Sequence, residues 1–126
     1  MSKEVIYSPN APEPIGPYSQ AIKAGSMLFA SGQIAIQKST GKMITENITD
    51  ETDQVMTNLG EVLTAAGMDF SNVVKCTIFL KDMNQFPQVN EAYGKNFTSS
   101  PPARETVQVS RLPKDANVEI SCIAVK

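Results

Sequence analysis

The order of the predicted elements places this chain in the α+β class. Six short stretches rich in β-branched residues and two longer amphipathic stretches follow one another as β-β-β-α-β-α-β-β along 126 residues. Each helical stretch carries one apolar stripe that needs a layer to pack against. We therefore expect one six-stranded sheet that is covered on one face by both helices. At this length, residues 1–126 should form a single domain.

The first three strands are predicted at residues 4–7, 20–23 and 27–36. Ala24-Gly25-Ser26 separates the last two runs and is typical of a hairpin connection. Ser31-Gly32-Gln33 interrupts the third run. A glycine inside a strand indicates a bulge, or the close approach of a ligand or another backbone.

A proline-rich segment lies between the first and second strands. Residues 11–20 hold three prolines and one glycine, which excludes both a helix and a central strand. Because strand-like sequence follows at once, we expect a fixed loop rather than a linker. Its rigidity would present the side chain of Tyr18.

The first helix is predicted over residues 50–66. Acidic residues crowd its first turn, where the helix dipole favours negative charge, and Gly67 is a good C-terminal stop. The fourth strand should follow at residues 73–80. Its alternation predicts one buried face, made of Val74, Cys76, Ile78 and Leu80.

The second helix is predicted to begin at Asp82, with Gln85 as its capping-box partner. Its apolar stripe consists of Phe86, Val89, Tyr93 and Phe97. Pro101 and Pro102 end it and lead into the last two strands.

The last two strands are predicted at residues 103–110 and 118–125, joined as a hairpin by a turn rich in Pro, Asp and Asn. Arg104 and Thr106 share one face of the first of these strands. Glu119 is an acid inside an apolar run of the second. One interpretation is a cross-strand ion pair between Arg104 and Glu119. The other is a carboxylate clamp and a proton-handling acid.

Composition excludes several classes of function. The chain has no histidine, which removes Ser-His-Asp and Cys-His nucleophilic machinery and nearly every zinc site. Lys and Arg are scattered and the net charge is −2, so we expect no extended nucleic-acid interface. Cys76 and Cys122 fall in apolar patterns and are predicted to be reduced core residues. Without a long apolar run or a signal-peptide pattern, we expect no membrane association and a cytoplasmic protein.

The second face of the predicted sheet has no cover from this chain. Val73, Phe79 and Ile123 are expected to be partly exposed there. A mixed sheet face of this kind is often buried by self-association, which predicts an oligomer.

Six motifs follow one another in order along nearly the whole chain: GPYSQA at 16–21, SGQI at 31–34, Val74-Lys75, the F-x-x-V-N-E-x-Y pattern at 86–93, Pro102-Ala103-Arg104 and RLPKDANVEI at 111–120. In these motifs the chain resembles the RidA/YjgF family, the reactive-intermediate imine deaminases. The resemblance implies a chorismate-mutase-like fold and a homotrimer with three sites in the clefts between subunits.

The resemblance also implies an activity. Family members hydrolyse short-lived 2-enamines and 2-imines, such as 2-aminoacrylate released by pyridoxal-phosphate-dependent dehydratases, to 2-keto acids and ammonia. By similarity, Arg104 would hold the substrate carboxylate and Glu119 would place and activate water. Tyr18, Gly32 and Asn90 would line the pocket, and Ser31 is a further candidate. The resemblance implies no metal or organic cofactor.

One position departs from the family pattern. Many deaminase members carry a cysteine two residues after the arginine, where this chain has Thr106. If the main-chain carbonyl there holds the water, threonine should preserve activity. If the cysteine thiol contributes to the family's activity, the alternative is that this protein is a non-catalytic sensor of 2-keto or amino acids. A translation inhibitor or ribonuclease is a second alternative, against which the acidic balance and the missing histidine argue.

Overall fold

The computed structural model describes residues 2–126 and has one mixed sheet with both helices on one face. The elements are β1 (Lys3–Ile6), β2 (Ala21–Ala24), β3 (Met27–Gln33), α1 (Ile48–Ala65), β4 (Val73–Leu80), α2 (Phe86–Gly94), β5 (Ala103–Gln108) and β6 (Val118–Val125). The strand order in the sheet is β1-β2-β3-β6-β4-β5. This arrangement confirms the predicted α+β class and the order of elements along the chain.

The predicted hairpin between the last two strands is wrong. β5 pairs in parallel with β4, and β6 lies antiparallel between β3 and β4, so that β4 separates β5 from β6. The β4-α2-β5 segment is a parallel crossover, which needs the helix between its strands. Turn residues between two strands show where the chain reverses, but they do not show which strand is the neighbour.

The fourth strand contains a bulge that the alternation did not predict. Its register against β6 shifts between Val73 and Lys75, which moves Val73 into the core and leaves Val74 exposed. The predicted burial of Val74 and exposure of Val73 are therefore wrong. From Cys76 onward the predicted alternation is confirmed, since Cys76, Ile78 and Leu80 are buried.

The helix boundaries differ from the prediction by a few residues. α1 is capped by Asn47, whose side chain accepts a hydrogen bond from the Asp50 N–H, and its end is followed by Gly67 with φ +71°. That left-handed conformation confirms Gly67 as the C-terminal stop. Asp82 caps a 3₁₀ turn, Met83–Gln85, instead of α2 itself, and α2 ends before Phe97.

The core lies between α1 and the central strands. Leu59 and Leu63 of α1 and Leu28, Ile78 and Ile120 of the sheet are fully buried. In residues 2–126, neither helix is long and apolar enough to cross a membrane.

The opposite sheet face is uncovered, as predicted. Phe79 and Ile123 are partly exposed there, as predicted, whereas Val73 is buried; other large apolar side chains of this face are more exposed. Those with exposed fractions above a third include Val5, Met27, Phe29, Val107 and Val125.

Candidate functional site

A pocket of about 370 Å³ opens beside the strands β3 and β6 and under the proline-rich loop. Four of the predicted site residues line it. These are Tyr18, Ser31, Gly32 and Glu119. Residues that the sequence did not indicate complete the lining, and most of them are apolar or belong to the loop: Pro12, Glu13, Ile15, Gln20, Gln33, Ile34, Ile36 and Pro113.

The bulge predicted at Ser31-Gly32 is confirmed, and it shapes the pocket floor. The β3–β6 register shifts between Ala30 and Gln33, and β3 ends there instead of at Ile36. A Cβ atom on Gly32 would lie 2.6 Å from Oε2 of Glu119. Such a separation is far shorter than a van der Waals contact, so glycine lets the Glu119 carboxyl lie directly against the main chain.

Glu119 is half-buried on β6 and faces the pocket. Its burial raises the pKa of the carboxyl above the usual range of glutamate, because the charged form loses hydration. A carboxylate with a raised pKa is a better proton acceptor than one in water. The position therefore suits general acid-base chemistry.

The proline-rich loop is held in place by side-chain hydrogen bonds to its main chain. The buried Gln20 amide accepts from Ser8 N at 2.6 Å and donates to the carbonyl oxygens of Ser8 and Pro12 at 3.1 and 3.0 Å. The Ser31 hydroxyl donates to the Ser19 carbonyl oxygen at 2.7 Å. Tyr18, which is 49% exposed, is thus presented on a fixed loop, as the sequence predicted.

Two buried polar residues of α1 hold the other pocket walls. The Asn58 amide donates to the carbonyl oxygens of Ile34 and Ile36 at 3.0 and 2.9 Å. The Glu51 carboxylate accepts two hydrogen bonds from Asn117, near the start of β6. Neither residue was predicted from the sequence. The available signal was their position on the apolar stripe of α1, where a buried polar side chain requires a partner.

The remaining predicted residues form a second cluster on β5 and α2. Nη1 of Arg104 donates to Oδ1 of Asn90 at 2.6 Å. The guanidinium carbon lies 5.3 Å from the ring centre of Phe86 and 5.1 Å from that of Tyr93. Two aromatic rings and one amide therefore orient the guanidinium, while its remaining N–H groups stay available for an anion.

Thr106 belongs to the same cluster. It lies two residues beyond Arg104 on β5, so its side chain shares the face of Arg104. Its Oγ1 is buried and has no hydrogen-bond partner within residues 2–126, so the threonine hydroxyl is free to form a hydrogen bond beside the guanidinium.

The two clusters lie on opposite faces of the sheet. Cys76 pairs with Arg104 on one side and with Cys122 on the other, which puts all three on the helix face. Glu119 is three residues from Cys122 in continuous register and therefore faces the other way. The cross-strand ion pair between Arg104 and Glu119 is excluded within one chain.

A cation of the neighbouring strand, Lys75, is paired with a residue other than Glu119. Lys75 Nζ lies 3.2 Å from Oε1 of Glu105, on the adjacent strand. Cys76 and Cys122 are free and buried, as predicted. Burial raises the pKa of both thiols, to about 12 for Cys122, which makes them poor nucleophiles. Across residues 2–126 no group of three or more Cys, Asp and Glu side chains is placed to hold a metal ion.

The chain is similar to proteins of known sequence and structure over almost its full length. The model of the family described as Endoribonuclease L-PSP matches residues 8–126. Reactive Intermediate Deaminase A, chloroplastic, of Arabidopsis thaliana is 49% identical over 98% of this chain and 66% of that protein. The 2-iminobutanoate/2-iminopropanoate deaminase of Mus musculus is 46% identical over 98% of this chain and 92% of that protein.

A solved structure agrees with this similarity. The crystal structure of YyfA from Yersinia pestis, a member of the conserved Rid protein family, superposes with a TM-score of 0.96 at 47% identity. The superposition covers 99% of this chain and all of the other. The sequence motifs, the fold and these matches agree, and the chain belongs to the RidA/YjgF family.

Proposed function

We propose that this protein hydrolyses 2-enamine and 2-imino acids, such as 2-aminoacrylate, to 2-keto acids and ammonia. The observation that carries the proposal is Glu119, a half-buried carboxyl with a raised pKa that lies against Gly32 in a preformed pocket. The names of the Arabidopsis and mouse relatives describe deaminases of this kind. The cytoplasm is the proposed compartment.

The chemistry needs few groups. The enamine tautomerises to the imine, water adds to the imine carbon, and a proton passes from the water to nitrogen. The hydroxyl proton of the resulting carbinolamine then moves to nitrogen and ammonia leaves as the carbonyl forms, so that imine and water give 2-keto acid and ammonia. Glu119 would accept the proton of the attacking water and return it to the leaving nitrogen. Because the imine carbon is already electrophilic, orientation and proton transfer are enough.

Arg104 would bind the substrate carboxylate. A guanidinium presents two parallel N–H groups that match a planar carboxylate. The rings of Phe86 and Tyr93 and the amide of Asn90 would keep it oriented before the substrate arrives. The main-chain carbonyl oxygen of Thr106 would hold the attacking water. Because this group does not depend on the side chain, a threonine at this position is compatible with activity.

The proposed active site is shared between two subunits of a homotrimer. Arg104 and Glu119 cannot meet within one chain, because they lie on opposite faces of its sheet. Association through the exposed apolar face would bring Arg104, Asn90 and Thr106 of one subunit to Tyr18, Ser31, Gly32 and Glu119 of the next. The exposed residues Phe29 and Val107 on that face favour burial by a second copy.

The direct test is a coupled assay. A pyridoxal-phosphate-dependent threonine or serine dehydratase generates the imine in place, and the release of keto acid and ammonia is followed with and without this protein. We expect acceleration by the parent protein and by Arg111→Ala, an exposed arginine outside both clusters. Arg104→Ala should lose it. Keto-acid binding without acceleration would favour the sensor, and cleavage of RNA by the pure protein would favour the ribonuclease.

A further inference from the structure

Glu51 is a fully buried acid that takes no part in the proposed chemistry. It lies near the start of α1 and has no exposed surface. Its two carboxylate oxygens accept hydrogen bonds from a single residue, Asn117: one from the main-chain N at 2.8 Å and one from Nδ2 at 2.7 Å. The Asn117 carbonyl oxygen in turn accepts from Lys81 N at 3.0 Å. Asn117 is therefore fixed at three points.

A buried carboxylate is a costly way to hold a helix against a sheet. Removing its charge from water is unfavourable, and an apolar residue would fill the same volume without that cost. Two short hydrogen bonds instead specify one position and one orientation of the bound segment. This feature indicates a need for precise placement of Asn117.

The segment before Asn117 does not hold its own position well. Lys114 and Asp115 have φ values of +55° and +53°, in the left-handed region that non-glycine residues rarely adopt. Both side chains of the ion pair between Arg111 and Asp115 are exposed, so the pair contributes little to the stability of this segment. Leu112 and Ala116 are buried, but apolar contacts are non-directional and do not fix the orientation of the main chain.

The first residues of β6 also have support from one side only. On the β4 side, Val118 and Glu119 pair with Leu80 and Phe79. On the β3 side, the last registered pair is Gln33 with Ile120, just beyond the bulge. The contact with Glu51 replaces the missing neighbour at the point where the strand begins.

We propose that Glu51 is a positioning residue for Glu119. By fixing Asn117, two residues before Glu119, it sets where β6 begins and how the Glu119 carboxyl lies against Gly32. It also places Pro113, which lines the same pocket. The inference rests on the proposed function, because the position of the Glu119 carboxyl affects the rate only if this carboxyl accepts a proton from the attacking water.

The test exploits the polarity of the two hydrogen bonds. In Glu51→Gln, the new amide N–H₂ faces a donor on Asn117, so one bond is lost and replaced by a donor-donor contact. In Asn117→Asp, two carboxylates oppose each other. The double variant Glu51→Gln/Asn117→Asp restores both bonds, because the glutamine donates to the aspartate and still accepts from the main-chain N–H.

We expect Glu51→Gln to lower kcat in the coupled assay by about tenfold to a hundredfold, the effect of a small misplacement of a reacting group, with a smaller change in KM. The double variant should recover kcat to within a few-fold of the parent. Val55→Ala, a core truncation of the same helix, should lower Tm with kcat retained.

The titration of Glu119 gives a second readout that does not depend on turnover. Carboxyl carbon NMR of glutamate-labelled protein should show a changed Glu119 pKa in Glu51→Gln and a restored one in the double variant. An unchanged kcat and an unchanged Glu119 titration in folded Glu51→Gln would overturn the inference. So would a folded double variant no better than the single one. If the parent protein itself shows no turnover, the proposed function fails, and the titration alone decides the role of Glu51.

Discussion

At the scale of single residues, two side chains carry the proposed chemistry, and different physical effects prepare them. Burial beside Gly32 raises the pKa of the Glu119 carboxyl. Contacts with two rings and one amide fix the direction of the Arg104 guanidinium. The loss of hydration changes the pKa of the Glu119 carboxyl, whereas the contacts of the Arg104 guanidinium fix its orientation. Substitutions at the two positions should therefore have different consequences.

Glu119→Gln should abolish most of the activity and stabilise the fold at neutral pH. The native carboxyl has a raised pKa, so between its ordinary and its folded pKa the folded state binds more protons than the unfolded state. The free energy of unfolding of the parent therefore falls as pH rises through that window, and glutamine removes this loss. We expect about a 10²- to 10⁴-fold lower kcat together with a higher Tm at pH 7.

The pH dependence checks the cause of the Glu119→Gln effect. The Tm advantage of the variant should shrink as the pH falls below the ordinary pKa of glutamate, where both states of the parent are protonated. The kcat of the parent should rise with pH through the folded pKa of Glu119. Glu46→Gln, at an exposed position, is the control and should change neither quantity. A variant less stable than the parent at pH 7 would contradict the role of burial.

Arg104→Ala should cost about 2–5 kcal/mol of substrate or transition-state binding, on the order of 30-fold to several thousand-fold in kcat/KM. The fold should survive, because Arg104 lies on the edge strand β5 and is not fully buried. Arg104→Lys should restore little, since an ammonium lacks the planar pair of N–H groups. Steady-state kinetics at several imine concentrations measure the effect, and full activity of Arg104→Ala would disprove the clamp.

At the scale of elements, local patterns were enough to predict most helices and strands, but they did not predict which strands pair. Turn residues correctly marked the reversal before β6. The neighbour of each strand depended on the whole sheet, where β4 separates β5 from β6. The bulge at Val73–Lys75 was missed for a similar reason. It is visible as a shift in the register of β4 against β6, and the alternation of residue types along β4 does not reveal it. The bulge at Ser31-Gly32 was predictable because glycine marks it.

The site shows the same division between local and long-range information. Four of the residues that line the pocket were predicted as site residues, Tyr18 and Glu119 among them. The buried residues that hold the walls, namely Gln20, Glu51 and Asn58, were missed as supports because their partners are 8 to 66 residues away along the chain. Their hydrogen bonds exist only in the folded chain.

Gln20→Leu should loosen the proline-rich loop. The substitution leaves Ser8 N and the carbonyl oxygens of Ser8 and Pro12 without their partner, at a cost of about 1–3 kcal/mol for each group that stays buried. We expect a lower Tm and faster amide hydrogen exchange over residues 8–18. Gln88→Leu, on the exposed side of α2, should change neither quantity. Unchanged exchange in Gln20→Leu would show that the prolines alone fix the loop.

At the scale of the whole molecule, one chain places two residue clusters on opposite faces of its sheet, and we propose that each cluster is half of an active site. A single subunit would then bind neither end of a substrate productively. The exposed apolar face supplies a reason for subunits to associate, and closure into a ring would complete one site at every interface. Activity should therefore depend on assembly.

Mixing two inactive variants tests this claim most directly. Arg104→Ala and Glu119→Gln are purified separately, mixed in equal amounts, and unfolded and refolded together, with subunit exchange verified by native mass spectrometry. If each site takes Arg104 from one subunit and Glu119 from another, random assembly rebuilds about a quarter of the sites, and about a quarter of the parent activity should return. Verified mixed oligomers that remain inactive would contradict the shared site.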